Sequence, residues 1–195
     1  SELAHRIFNG TITVDDYQKW MENWIPQVRE GSLWMRTAIS NLSAPFQEIQ
    51  ELIHKHAGEE QFDFNILYSD YKQAGGSKAL DDLQRNSGGE ALNDYMYKKA
   101  KSQDPLGLLG GIFIIEGTGQ KIIPTLLPFL KKHLNLQMNV FKFLEYHGEN
   151  DVHHLQRWAH AVELALMIEP KSAADILKTA QEVANLYKKQ WELVL

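Results

Sequence analysis

The chain has 195 residues, 44% of them hydrophobic and 23% charged, a composition that excludes a disordered segment and suits one globular domain over residues 1–195. Its 20 Lys and Arg against 25 Asp and Glu give a net charge of −5, which argues against a nucleic-acid partner. The absence of Cys excludes disulfides, thiolate catalysis and Cys-ligated metals, and suits the cytoplasm. Because no apolar run approaches roughly 20 residues, we expect no membrane span.

Helical periodicity recurs along the chain, and strand signals are nearly absent. The predicted helices cover, in chain order, about residues 14–29, 33–42, 46–73, short pieces within 77–103 split at residues 87–89, a helix from 104 onward, 135–168, and a last helix 172–194 capped by Ser172. Pro26 predicts a kink in the first helix, and Pro124 and Pro128 predict a break in the fifth. Six or seven helices of this length predict an all-α, compact bundle.

Polar residues interrupt the apolar stripe of the predicted helix 46–73. His56, Glu60 and Asp63 occupy its three middle positions, at the spacing i, i+4 and i+7. Successive residues of a helix turn by about 100°, so all three side chains lie on the face that the flanking apolar residues direct to the core.

Two later stripes repeat this pattern. His147, Asp151 and His154 stand at the same spacing within the helix 135–168, and Glu116 stands at the centre of the stripe that follows residue 104. A lone carboxylate in a bundle core is costly unless it is paired or bound to a metal ion. Imidazole and carboxylate ligands from several helices are typical of di-iron and di-manganese carboxylate proteins. The alternative is a set of core histidines and buried ion pairs.

Three segments resemble the motifs of the heme-oxygenase-like diiron oxidases. Residues 147–154 resemble the H-x-x-x-D-x-x-H signature, and Ile115-Glu116-Gly117 is similar to the glutamate motif upstream of it. Residues 59–63, followed by Asp70 and the pair 75–76, look like the family's E-E-x-G-H…D…G-G helix. The chain departs from the family in one respect. Members place His where this chain has Asp63, and many place Glu where it has His56.

The resemblance implies a seven-helix bundle, shared with thiaminase-II proteins and PQQ-synthesis protein C. It implies two iron ions, with one ion or manganese as alternatives, and an oxidase or oxygenase that uses O2 on a small organic substrate such as an amino acid or a fatty acid. The implied metal ligands are His56, Glu60, Asp63, Glu116, His147, Asp151 and His154.

Several alternatives stay open from the sequence. A single metal site would use Glu116, His147, Asp151 and His154. A metal-poor or cofactorless member of the same fold would bind a small molecule or a protein partner, and a homodimer is also open. The substrate cavity would lie between helices, with candidate lining residues Trp20, Trp24, Trp34, Phe113 and Tyr146.

Overall fold

The computed structural model describes the backbone of residues 1–195 and every side chain except those of residues 150–152. The described chain contains helices and no strand. The helices are α1 (Glu2–Asn9), α2 (Val14–Ile39), α3 (Gln47–Glu60), α4 (Asp63–Gln73), α5 (Ser87–Ala100), α6 (Gly107–His133), α7 (Lys142–Ile168) and α8 (Ser172–Glu192), with 3₁₀ turns at Leu80–Asp82 and Met138–Val140. The all-α prediction is confirmed, with eight α-helices in place of seven.

Three prolines lie inside continuous helices where the sequence predicted a kink or a break. α2 begins at a capping box between Thr13 and Asp16, passes through the buried Pro26 and ends at Ile39, so the two predicted helices are one. α6 likewise continues through Pro124 and Pro128. α6 packs along both α7 and α8, and this tertiary contact outweighs the local cost of the prolines.

The predicted helix 46–73 is two helices. α3 ends at Glu60, and α4 begins at Asp63 after the exposed Phe62. Gln61 stabilises the junction, because its amide donates to the carbonyl of Gly58 at 3.0 Å. Asp63 therefore starts a new helix and does not share a face of α3 with His56.

Two further predicted boundaries are wrong. Residues 87–89 form the first turn of α5 and do not split it, because Asn86 accepts a hydrogen bond from Gly89 N–H at 2.9 Å. Ser172 lies in the first turn of α8 and makes no capping hydrogen bond there; Lys171 holds the cap position.

A side chain from another helix caps α7, which begins at Lys142. The buried Asp70 of α4 accepts a hydrogen bond from the backbone N–H of Phe143 at 2.8 Å. Burial raises the pKa of the Asp70 carboxyl to about 6, although that hydrogen bond acts in the opposite direction. This contact fixes α7 against α4.

The core has two clusters of buried apolar residues, one around Trp20 and Trp24 and one around Trp34 and Trp158. α6 contributes to both clusters and lies between α7 and α8. Within the described part of the chain, each helix is too short or too polar to cross a bilayer.

Replacing Asp70 tests the link between α4 and α7. Asp70→Ala should lower the free energy of unfolding by about 1–3 kcal/mol, because the buried Phe143 N–H loses its acceptor. Asp70→Asn keeps an acceptor oxygen and should lose much less. Urea denaturation at neutral pH measures both changes, with Asp82→Ala on an exposed turn as the control. Equal midpoints for Asp70→Ala and the control would refute the capping role.

Candidate metal centre

Four helices bring six of the seven predicted ligands to one place in the bundle. Five of them are at most 8% exposed, and the Glu60 side chain is 14% exposed. The side chain of the seventh, Asp151, lies outside the described residues. The six are His56 and Glu60 on α3, Asp63 on α4, Glu116 on α6, and His147 and His154 on α7.

The first ligand group consists of His56, Glu60, Glu116 and His154. One nitrogen or oxygen atom from each lies within 4.8 Å of the others. His154 Nδ1 is 3.2 Å from Glu60 Oε1 and 3.5 Å from Glu116 Oε2, and His56 Nε2 is 3.1 Å from Glu116 Oε1. Two imidazoles and two carboxylates thus converge from α3, α6 and α7.

The second ligand group consists of Glu60, Asp63 and His147, again with atoms within 4.8 Å of one another. His147 Nε2 lies 3.3 Å from Asp63 Oδ2. Glu60 belongs to both groups. The exchanged residues His56 and Asp63 therefore fall in different groups, with Glu60 between them.

Burial and neighbouring charges shift the pKa values of the two central carboxyls, Glu60 and Glu116, in opposite directions. Burial, with the nearby Glu116 and Asp63 carboxylates, raises the pKa of Glu60 to about 8. Burial would also raise the pKa of Glu116, but hydrogen bonds from His154 and His56 lower it to about 2. In the metal-free protein at neutral pH, Glu116 is an anion and Glu60 holds a proton.

The donor atoms fit a divalent cation. Glu60 Oε1 and Asp63 Oδ2 are fully buried and accept no hydrogen bond from a described residue, although each has an imidazole nitrogen at 3.2 or 3.3 Å. Such oxygens are costly to bury unless a cation or a donor reaches them. Mixed imidazole and carboxylate ligands suit iron, manganese or zinc. The residues present thus fit an iron centre.

Sequence analysis missed the residues around His56. Arg157 Nη1 lies 3.1 Å from His56 Nδ1 and also donates to Glu59 Oε2 at 2.6 Å. Since Arg157 can only donate, His56 Nδ1 accepts, and the ring proton lies on Nε2, directed at Glu116. Trp158 Nε1 lies 3.3 Å from the same Nε2. Among the described residues, only this contact favours the other tautomer, and it is longer than those of Arg157 and Glu116. Arg157 follows His154 by three residues on α7, and Glu59 follows His56 by three residues on α3, so each lies beside a predicted ligand on its own helix.

An apolar cavity of about 140 Å³ borders the cluster. Glu60, Glu116 and His147 line it at this border. The predicted lining by Trp20, Trp24 and Trp34 is confirmed. Phe113 packs against a core cluster, and Tyr146 is 38% exposed. Neither is among the described lining residues, so that part of the prediction is wrong.

Residues 64–188 match the sequence profile of a family described as iron-containing redox enzymes. This is more than half of the chain. The chain belongs to this family. The matched segment includes Glu116 and the two predicted ligands His147 and His154 of α7, but it begins after Asp63, so α3 lies outside it. This match confirms the predicted family relationship and shows, at the family level, a redox function with iron. No protein of curated function matches the chain.

Two solved structures share the fold. A domain of unknown function with a heme oxygenase-like fold from Shewanella denitrificans OS217 superposes with a TM-score of 0.87 at 16% identity, covering 98% of this chain and 82% of that one. A TenA homolog from Pseudomonas syringae pv. tomato str. DC3000 gives a TM-score of 0.75 at 11% identity, covering 99% and 86%. At these identities the similarity shows the fold alone, which is heme-oxygenase-like.

The raised pKa of Glu60 predicts how the metal-free protein responds to pH. Glu60 binds its proton more tightly when folded, so its contribution to stability is full below about pH 4.5 and is lost as pH rises toward about 8. Glu60→Gln should therefore show a flatter fall in the free energy of unfolding between roughly pH 5 and pH 8. Urea denaturation of chelator-treated protein measures the slope.

The control for this measurement is Glu59→Gln. Glu59 is exposed. Burial is the largest single influence on its pKa and raises it, but the hydrogen bond with Arg157 and the charges of Arg157, His154 and Lys55 together lower the pKa, so Glu59 stays ionised over that range. Its slope should match that of the wild type. An unchanged slope in Glu60→Gln would show that Glu60 carries no proton in the folded protein at neutral pH.

Proposed function

We propose that the protein is an O2-dependent oxidase or oxygenase that holds two iron ions and acts on a small organic substrate. The observation that carries the proposal is the position of Glu60, which belongs to two adjacent ligand groups. A carboxylate placed in this way would supply ligand atoms to each of two neighbouring metal ions. His147 lies with Asp63 and not with Glu116, which favours two neighbouring sites over a single site built from α6 and α7.

In this proposal Glu60, Glu116 and His154 would hold one ion, and Glu60, Asp63 and His147 would hold the other, with Asp151 as a further ligand predicted from its motif. His56 donates its Nε2 proton to Glu116 and so orients that carboxylate. The predicted ligand role of His56 is the alternative. It requires loss of the Nε2 proton, which the contact between Arg157 and Nδ1 opposes.

Iron bound here would supply the binding and reduction of O2. The side chains around the iron would control its binding and the access of substrate. Glu60 must release the proton that its raised pKa retains, so metal affinity should rise with pH toward about 8. Arg157 and Glu59 form an ion pair over the His56 side of the cluster. The apolar cavity on the other side offers space for the substrate.

A metal-poor binding protein is the second candidate. The hydrogen bonds from His56 to Glu116 and from Arg157 to His56 hold part of the cluster together without any cation. In this alternative the cavity binds a small molecule and no oxygen chemistry follows. The cytoplasmic location, the homodimer and the single-domain organisation also remain predictions.

Counting iron in two alanine variants tests the two-site arrangement. Each variant removes a ligand from one site only, so His147→Ala and His154→Ala should each bind about one iron per chain where the wild type binds two. The affinity of the altered site should fall more than about tenfold. The melting temperature of the iron-loaded protein should fall as well. Anaerobic loading followed by iron analysis gives the count.

The matched control is His153→Ala, because His153 is exposed on the same turn of α7. It should keep the iron content and melting temperature of the wild type. Full iron content in His147→Ala would mean that His147 is a core histidine. A wild type without iron would favour the metal-poor binding protein.

Oxygen uptake tests the redox function itself. The iron-loaded wild type should consume O2 faster when a suitable organic substrate is added, with amino acids and fatty acids as the first panel. Glu60→Ala, which removes the shared ligand, should reduce this stimulated rate to background. An oxygen electrode measures the rate with and without a chelator. Undiminished uptake after chelation would indicate the cofactorless alternative.

A further inference from the structure

An ion pair at the edge of the cluster contacts both imidazoles of the first ligand group. Arg157 donates to Glu59 through two nitrogens, with Nη1 2.6 Å from Oε2 and Nη2 3.2 Å from Oε1. Arg157 Nη1 also lies 3.1 Å from His56 Nδ1, and Glu59 Oε2 lies 3.7 Å from His154 Nε2. This outer ion pair, Arg157 with Glu59, thus directs a cationic donor at one ring and an anionic acceptor at the other.

The second nitrogen of each ring faces the carboxylates of the cluster. His56 Nε2 is 3.1 Å from Glu116 Oε1. His154 Nδ1 is 3.5 Å from Glu116 Oε2 and 3.2 Å from Glu60 Oε1. The two rings are in contact, with centroids 4.6 Å apart and planes at 80°. Each imidazole therefore has one nitrogen toward the ligand group and one toward the outer ion pair.

The two contacts of the outer ion pair have opposite consequences. A neutral imidazole carries one ring proton, so a group that binds one nitrogen decides what the other nitrogen can do. Arginine only donates, so His56 Nδ1 accepts, and the ring proton on Nε2 prevents that nitrogen from binding a metal ion. An ionised glutamate only accepts, so its charge favours the His154 proton on Nε2 and leaves Nδ1 with a lone pair for a metal ion.

Burial gives these contacts their weight. His56 is fully buried, and the side chains of His154 and Arg157 are 7% and 14% exposed. Water reaches the ring nitrogens poorly, so the neighbouring side chains determine which nitrogen holds the proton. A bidentate pair of arginine and carboxylate also holds a fixed geometry. The opposing donor at His56 Nε2, the indole of Trp158, is neutral and lies farther away at 3.3 Å.

We propose that the outer ion pair assigns different roles to the two imidazoles. Glu59 positions His154 as a metal ligand through Nδ1. Arg157 keeps His56 out of the metal coordination as a hydrogen-bond donor to Glu116. Arg157 and Glu59 are positioning residues, since they act through the two rings. The inference rests on the two ligand groups of the proposed function, but it requires neither iron nor O2, so its test uses a redox-inert ion.

Cadmium is the probe, because the spin of ¹¹³Cd couples to the ¹⁵N nucleus of an imidazole that binds it directly. In the ¹¹³Cd(II)-loaded wild type, His154 should couple through Nδ1 and His147 through Nε2, whereas His56 should show no coupling. Before loading, the ¹⁵N signals of His56 should show the proton on Nε2. Alanine variants of the three histidines assign the spectra.

Arg157→Met removes the donor to His56 and keeps a long side chain. His56 Nδ1 can then carry the ring proton, and Nε2 already lies within the first ligand group. The ¹¹³Cd(II)-loaded variant should therefore show His56 as a third coupled ring. The control is Arg29→Met, because Arg29 pairs with Asp81 and with none of the predicted ligands. It should keep the two coupled rings of the wild type.

Glu59→Ala removes the acceptor that faces His154. The partners of ligating histidines typically contribute about 10–100-fold to metal affinity, so the affinity of the first ligand group for cadmium should fall about tenfold or more. The second group, followed through His147, should keep its affinity, whereas general damage to the fold would weaken both groups. Titration against a competing chelator, followed through the coupled signals of His154 and His147, measures the two affinities separately.

Coupling of cadmium to His56 in the wild type would overturn this inference and leave the two-site proposal intact. This result needs no variant, so it decides the matter even if Arg157→Met does not fold. An unchanged set of coupled rings in a folded Arg157→Met, or an unchanged first-group affinity in Glu59→Ala, would also overturn it. A wild type that binds no cadmium would remove both proposals. A wild type that couples as expected but consumes no O2 with iron would retain this inference and lose the oxidase function.

Discussion

The centre of this bundle buries a group of carboxylates and imidazoles, and its stability depends on how their charges are compensated. An isolated ion inside a protein costs several kcal/mol even after relaxation. Glu116 remains ionised because two imidazoles lie at hydrogen-bonding distance, which holds its pKa near 2. Glu60 avoids the cost by keeping a proton, with its pKa raised to about 8. A cation that binds between them would replace that proton and the contact from His154, whereas His56 would keep its hydrogen bond to Glu116.

The break between α3 and α4 explains why a carboxylate stands at position 63. Asp63 is the first residue of α4, where the backbone N–H groups of the first turn lack partners within the helix. The helix dipole favours a negative side chain there and opposes a cationic imidazole. His56, by contrast, lies within α3, where Arg157 and Glu116 fix its tautomer. The exchange of imidazole and carboxylate thus matches the local backbone of each position.

A single sequence rule identified most of the cluster, since polar residues on apolar helical stripes marked all six predicted ligands whose side chains the structure describes. Asp63 does lie in the cluster, but the rule placed it there by assuming one continuous helix from residue 46 to 73. That helix ends at Glu60, and Asp63 begins the next one. Helix ends and prolines were harder to predict, since packing of α6 against α7 and α8 overrides local preference. Arg157 was missed because it is charged and precedes the stripe residue Trp158.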